Sequence, residues 1–324
     1  MDRTIRYIEL FAGIGGFRYG IERVNDLIHQ TNSNPKLIHK FICVYANEFD
    51  KYTNSVYRHH FSDCDLQDIR IVPTSDIPDH ELLVGGFPCQ AFSIAGKRRG
   101  FCDTRGTLFF EIARVLRQKQ PHLLLLENVK GLLSHDQGET FATILSTLDE
   151  LGYDCQWQVL NSKNFGVPQQ RERVFIVGHR RGTSRPHVFP FTSQTTTILK
   201  PVGGILTKTQ RPPKSGRFHF SQGCSVYGVW GISPALTTDE RMLIAVPQQR
   251  KMIRDGQTPV IPTNQIRNLT PLEWERLQGF PDHWTRIGND DKAISKTRRY
   301  MMLGNAVTTT VVTAIVSRLA GVNN

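Results

Sequence analysis

Glu81-Leu-Leu-Val-Gly-Gly-Phe-Pro-Cys-Gln-Ala-Phe-Ser-Ile-Ala-Gly96 is the stretch around which the chain is read. A short apolar run, Leu82 to Val84, ends in Gly85, Gly86 and Pro88 and then a lone cysteine, Cys89. That is the pattern of a buried strand delivering a thiol at its carboxyl end, where open α/β sheets place their ligand crevices. A cysteine in that position serves either as a small core residue or as a nucleophile. The basic segment Lys97-Arg98-Arg99 lies between Gly96 and Gly100, and could close as a lid over something negatively charged.

Towards the N-terminus, Tyr7 to Phe11 predicts a first strand, followed by Ala12-Gly13-Ile14-Gly15-Gly16 and a helix to about Asp26. Strand, glycine-rich turn and helix bring backbone close to a nucleotide-like ligand. The pattern is GxGG rather than GxGxxG, and a turn that merely needs positive φ is the alternative. Phe41 to Ala46 predicts a second strand, with Asn47, Glu48 and Phe49 at its end. Glu48 suits the hydroxyls of a ribose and Phe49 the face of a base; a solvated residue before a helix over Lys51 to His60 is the plainer reading of Glu48. Asp63 to Asp68 predicts the end of a third short strand, whose carboxylates suit an exocyclic amino group or, equally, a cap or turn.

Towards the C-terminus, Thr107 to Gln120 has helical spacing and Pro121 ends it. His122-Leu-Leu-Leu-Leu-Glu127-Asn128-Val129 predicts a central strand of a parallel sheet. A glutamate directly after four leucines is partly desolvated, which raises its pKa and suits it to donate a proton; pairing with a structural arginine is the alternative. A helix over Gly138 to Leu151, capped by Gly152, precedes strands over Gln156 to Leu160 and Val174 to Gly178. In Arg171-Glu172-Arg173, alternation turns the two arginines to one face, to clamp an anion or carbonyl or simply to coat an exposed sheet. Residues 180 to 265 are rich in Pro, Gly, Thr and Arg and predict a separate, mostly irregular and β domain with basic and aromatic residues interleaved. Thr270-Pro271-Leu272-Glu273 carries capping-box signals for a helix to about Leu277, and Gly304-Asn305-Ala306-Val307 leads into a last helix, with Asn305 a cofactor contact or only its cap.

The 324 residues carry 39% hydrophobic and 21% charged residues, the composition of an ordinary globular protein. A net charge of +11 favours an anionic partner, nucleic acid before a membrane surface. The N-terminus lacks an apolar signal core and no long apolar span is expected, which points to a cytoplasmic protein. Six cysteines without a close pair argue against a zinc site or a disulfide framework and for a reducing compartment.

In their joint order, Phe11-Ala-Gly-Ile-Gly-Gly, Asn47-Glu48, Gly86-Phe-Pro-Cys89-Gln90, Glu127-Asn128-Val129, Gln170-Arg171-Glu172-Arg173 and Gly304-Asn305-Ala-Val resemble the motifs of the cytosine-5 DNA methyltransferases, most closely the compact bacterial restriction–modification kind. The likeness covers about 1–180 and 267–324. It implies an α/β, Rossmann-like, S-adenosylmethionine-dependent fold with a mixed seven-stranded sheet whose last strand is antiparallel, plus a small target-recognition domain. The expected division is a catalytic domain over 1–180 completed by 300–324, a recognition domain over 181–285 and a hinge over 286–299. By resemblance Cys89 is the nucleophile, Glu127 the residue that protonates the ring nitrogen, and Arg171 and Arg173 lie near the base carbonyl and the cysteine. Phe11, Gly13, Gly15, Gly16, Glu48, Phe49, Asp65, Leu66, Pro88 and Asn305 match cofactor positions, and Gln90, Ser93, Lys97, Arg98, Arg99 and Arg105 a lid that meets DNA. The implied partners are S-adenosylmethionine, with S-adenosylhomocysteine as product and no metal, and double-stranded DNA, met by a monomer that works alongside a restriction endonuclease.

The chemistry asks for these residue types on its own account. Cytosine carbon-5 is a poor nucleophile until a thiolate adds at carbon-6. A thiolate needs a cationic surround and the charge left on the ring needs a proton donor. The base must also leave the stack before any of this happens. A tRNA methyltransferase of the same branch and a non-catalytic DNA-binding relic are the alternatives. A dinucleotide oxidoreductase is disfavoured because Glu48 lies 35 residues beyond Gly13 rather than about 20.

Overall fold

The computed structural model describes residues 3–30, 39–88, 108–183, 187–192, 226–228, 233–234, 243–245 and 266–322. In chain order these form β1 (Arg3–Leu10), α1 (Gly16–Gln30), β2 (His39–Asn47), α2 (Lys51–Phe61), β3 (Leu82–Gly86), α3 (Leu108–Lys119), β4 (Leu123–Val129), α4 (Glu139–Glu150), β5 (Tyr153–Asn161), β6 (Gln169–Gln170) and β7 (Glu172–Arg180). Four short strands follow: β8 (Val226–Gly228), β9 (Ser233–Pro234), β10 (Leu243–Ala245) and β11 (Ile266–Asn268). The chain then closes with α5 (Pro271–Leu277), α6 (Lys296–Asn305) and α7 (Thr309–Leu319).

Alternation along the apolar strands builds two cores from one sheet. In β4, Leu123 and Leu125 join one buried cluster and Leu124 and Leu126 the other. Tyr7, Leu82, Val84, Phe175 and Val177 share the first, and Ile8, Leu10, Leu83, Val174 and Ile176 the second. Burial on both faces is what a mostly parallel sheet with helices on either side requires. Phe17, Ile21 and Val24 of α1 pack there with Val311, Val312 and Ile315 of α7, while α3 and α4 cover the opposite face. Gly20 permits the close α1–α7 contact, since a Cβ there would lie 2.7 Å from Val312 and 2.8 Å from the Thr309 carbonyl.

The sheet order is β2-β1-β3-β4-β7-β5. The first four strands are mutually parallel, and β7 runs antiparallel to both β4 and β5. The mixed sheet expected from the motifs is present with six strands among the described residues rather than seven. The third strand anticipated around Asp65 is reduced to one bridge, Asn47 to Asp65, closed by Asp65 N–H to the Ala46 carbonyl (2.8 Å) and Glu48 N–H to the Asp65 carbonyl (3.0 Å). Asp63-Cys64-Asp65 offers no apolar run to bury, so the chain touches the sheet edge once and turns away.

Leu269, Trp274, Leu277, Phe280 and Trp284, within the stretch expected to form the recognition domain over 181–285, share a buried cluster with Ile14, Val56, Tyr300 and Leu303. Val188 joins the main core, and the Arg318 guanidinium sits 3.7 Å over the Phe191 ring. Across α6 and α7, an 18-residue window within Lys296–Leu319 has a mean hydropathy of 1.3, and 78% of it is buried as core.

Candidate active site

The carboxyl ends of β1, β2, β3 and β4 lie along one edge, and each delivers polar groups there. After β1 the chain turns through Phe11 (φ 55), Gly13 (φ 56) and Gly15 (φ 84), left-handed conformations that suit glycine and strain a phenylalanine. The turn is tied to the next strand by Ala12 N–H to the Asn47 carbonyl (3.0 Å) and by Gly13 N–H to Glu48 Oε2 (2.9 Å). Glu48 Oε1 accepts from Asp50 N–H at 2.9 Å, so the carboxylate is fixed by two backbone donors. Burial pushes the Glu48 carboxyl above its usual range and those donors oppose the shift. Gly16 faces inward instead: a Cβ there would meet Val307 Cγ1 at 2.7 Å, so its place in the turn is a packing requirement of α1.

Beside this turn Phe49 is 67% exposed and Leu66 47% exposed, two apolar side chains left open on either side of the Asp65 bridge. Asp65 Oδ2 accepts from the Tyr45 hydroxyl at 2.7 Å and Oδ1 from Gln67 N–H at 3.1 Å. The carboxylate is thus oriented as an acceptor. A glycine-lined turn, a half-buried carboxylate held against it, a second carboxylate and two open apolar faces fit a nucleoside with ribose hydroxyls and an exocyclic amine.

The reactive end of the site lies between β3 and β4. Gly86 stands opposite Glu127 in the parallel register, and a Cβ on Gly86 would come within 3.2 Å of Glu127 Oε2. Asn128 Nδ2 donates to the Phe87 carbonyl at 2.9 Å, while Asn128 Oδ1 accepts from Val129 N–H at 2.8 Å. That clamp fixes the two residues before Cys89, and Pro88 is exposed at the end of the described segment. Cys89, Gln90, Ser93, Lys97, Arg98, Arg99 and Arg105 lie outside the described residues.

Glu127 Oε1 is 2.8 Å from Arg173 Nε, with the side chains 10% and 18% exposed. Burial raises the Glu127 pKa, opposed by the charges of Arg173 and Arg171. The carboxyl is thus both desolvated and partnered, which joins the two readings its sequence context left open. The alternation in Arg171-Glu172-Arg173 is visible in burial: Glu172 points outward to Lys130 (2.9 Å) while both arginines point in. Arg171 goes further in than a surface clamp would. It is fully buried, and its Nη2 donates to the Gly304 and Ala306 carbonyls at 3.0 and 2.8 Å. Its guanidinium therefore holds the backbone on either side of exposed Asn305 and lies near Glu127 as a neighbouring charge.

Two groups that touch this frame carried no local signal. Asn128 was visible only as a motif neighbour of Glu127. Gln278, fully buried after α5, donates through Nε2 to the Leu303 carbonyl (2.7 Å) and the Ala306 carbonyl (3.2 Å).

With this geometry in hand, comparison with known proteins is specific. A family model described as "C-5 cytosine-specific DNA methylase" matches residues 5–223 and 207–321. The type II methyltransferase M.SsoII of Shigella sonnei is 38% identical over 97% of this chain and 79% of its own length. M.HhaI of Haemophilus parahaemolyticus is 34% identical over 94% of this chain and 90% of its own. Among solved structures, the Dnmt2 methyltransferase of S. pombe superposes with a TM-score of 0.66 at 19% identity, covering 97% of each chain, which is a likeness of fold.

Proposed function

The chain belongs to the C-5 cytosine-specific DNA methylase family, and on that premise we propose that it methylates carbon-5 of a flipped-out cytosine in a specific duplex sequence, as the modification half of a restriction–modification system. The observation that carries the residue roles is the meeting of Gly86, Glu127 and Arg173: the strand that leads into Cys89 runs against a desolvated carboxyl held by an arginine.

In this reading the Cys89 thiolate adds to carbon-6 and makes carbon-5 electron-rich, as an enamine is. Glu127 donates its proton toward the ring nitrogen, so that negative charge does not accumulate on the base, and Arg173 keeps the carboxyl aimed. S-adenosylmethionine, when bound, supplies the electrophilic methyl group and leaves as S-adenosylhomocysteine. Loss of the carbon-5 proton to a base then expels the Cys89 thiolate, and return of the ring-nitrogen proton to Glu127 restores the ring. Phe11, Gly13, Gly15, Glu48, Phe49, Asp65 and Leu66 would hold the cofactor: Glu48 on the ribose, Asp65 on the exocyclic amine, Phe49 and Leu66 on the base faces. Asn305 would close the far side. Arg171 acts as a positioning residue for Asn305.

Lys97, Arg98, Arg99 and Arg105, with Gln90 and Ser93, would close on the DNA backbone as a lid, in keeping with the net charge of +11. We place target reading in residues 180 to 265 of the recognition domain over 181–285, the enzyme acting as a monomer beside an endonuclease that cuts the same sequence. The test is a duplex carrying 5-fluorocytosine at the target, because fluorine cannot leave as a proton does. A covalent adduct that forms with the wild-type protein and is lost in Cys89→Ser supports the assignment. Methyl transfer by Cys89→Ser would overturn the nucleophile, and labelling of tRNA without DNA would overturn the substrate.

A further inference from the structure

The residues that flank Asn305 are held by side chains far away in the sequence. Asn305 ends α6, and the backbone then leaves helical geometry at Ala306 (φ −64, ψ 148) and Thr308 (φ −74, ψ 116). The last carbonyls of a helix have no partner within it and must find one elsewhere. Two buried side chains supply the donors: Arg171 Nη2 to the Gly304 and Ala306 carbonyls, and Gln278 Nε2 to the Leu303 and Ala306 carbonyls.

Gln278 is engaged at every polar atom of its carboxamide. Its Oε1 accepts from the Thr308 hydroxyl at 2.8 Å and from Gln169 Nε2 at 3.4 Å. Thr308 in turn contacts the Ser162 hydroxyl at 2.8 Å, and the Gln278 carbonyl accepts from Thr309 N–H at 3.0 Å. The carboxamide therefore reaches Leu303, Ala306 and Thr308, and the backbone carbonyl of the same residue takes Thr309 N–H, with Asn305 the exposed residue in the middle of the turn. Two connections to the central segment among the described residues also lead here. Gln169 belongs to β6, which pairs with β9 in parallel, and Gln278 follows α5, which is entered from β11.

We propose that Gln278 is a positioning residue for the cofactor pocket: its carboxamide sets the turn that aims Asn305. The proposal rests on reading Asn305 as a pocket residue. Glutamine suits the position because the turn offers two carbonyls that need donors and one hydroxyl that needs an acceptor, and a neutral carboxamide supplies both kinds at once. A methionine of similar volume fills the space but satisfies none of them.

The experiment is calorimetric binding of S-adenosylhomocysteine to the full chain, with thermal melting of the same samples. Gln278→Met should weaken binding by about tenfold or more, and should raise the KM for S-adenosylmethionine more than it lowers kcat at saturation. Thr308→Val, which removes one partner of the amide, should weaken binding several-fold. The double variant should be no worse than Gln278→Met alone, because both changes break one network. Thr285→Val is the control. It removes the buried hydroxyl that donates to Glu275 Oε1 on the same 275–285 stretch but away from the turn, so it should lower the melting temperature and leave binding unchanged.

A folded Gln278→Met that binds within twofold of wild type overturns the proposal, as does an equal loss of binding in Thr285→Val. If Gln278→Met does not fold, Thr308→Val decides: binding within twofold of wild type overturns it. A wild-type protein that fails to bind S-adenosylhomocysteine would instead overturn the function proposed above.

Discussion

Arg173 Nε and Glu127 Oε1 meet at 2.8 Å across the β4–β7 pair, one residue at the start of its strand and the other near the end of its own. Burial raises the carboxyl's pKa while the arginine lowers it, so the pair sets how far above its ordinary range Glu127 keeps a proton. Glu127→Gln should lower kcat by about 10²- to 10⁴-fold, the usual worth of a positioned proton donor, and should bind duplex DNA much as before. Arg173→Ala removes the opposing charge. The alkaline limb of its kcat profile should move to higher pH even as the rate falls. Rate against pH for the three proteins checks both outcomes.

Glu48 ties the glycine turn to the second strand through Gly13 N–H. Glu48→Ala leaves that donor and the Asp50 N–H without their acceptor and takes away the ribose contact proposed for it. Affinity for S-adenosylhomocysteine should fall at least tenfold by calorimetry, with the circular dichroism spectrum unchanged.

Gly16 separates the two ends of the chain by the width of a hydrogen atom. An alanine there would press on Val307 Cγ1 at 2.7 Å and on the Val307 carbonyl at 3.1 Å. Gly16→Ala should therefore cost about 1–3 kcal/mol of stability, as overpacking of a filled core does. A denaturant midpoint equal to wild type would show that the Gly16–Val307 contact gives way without cost.

Glu9 is fully buried in β1, where its Oε2 accepts from the Tyr57 hydroxyl at 3.0 Å. Burial pushes its carboxyl up to about 8, against the Tyr57 hydrogen bond and the charge of Arg18. The folded protein thus holds this proton more tightly than the unfolded chain does. Its contribution is complete below the ordinary carboxyl range near 4.5 and is lost as pH rises from there to about 8. Glu9→Gln should flatten that decline and leave the variant more stable than wild type at pH 9, by up to about 5 kcal/mol for a shift from 4.5 to about 8. Urea unfolding at pH 5, 7 and 9 measures it.

Much of the frame was legible because its signals are local. Leu82 to Val84 and Leu123 to Leu126 announce buried strands by composition, and the polar residues after them announce the edge where they end. Glu48 and Glu127 stood out for the same reason. Arg171 shows where local reading stops. Alternation placed it correctly with Arg173, but the carbonyls it serves lie 133 and 135 residues later. Gln278 has the same difficulty, since a polar residue after a helix reads as solvated until the fold covers it. The third strand failed in the other direction: Asp63 to Asp68 looked like a strand end and contributes one bridge. Trp274, Phe280 and Trp284 sit in short, interrupted apolar patches that become a core only against Ile14 and Val56.

The reversal of β7 changes which part of the chain has access to chemistry. In β1 to β4 only the last residues of a strand reach the reactive edge, so each can bring a side chain there only after crossing the sheet. A strand laid the other way starts at that edge. Its nine residues span about 30 Å, so with the opposite direction Arg173 would emerge on the far side of the molecule from Glu127. An inserted or deleted residue inside β7 would turn the residues beyond it to the opposite face of a strand that is paired on both sides, exchanging Val174 and Ile176 with Phe175 and Val177 between the two cores. The same change in the 162–171 loop would move the arginine itself relative to Glu127.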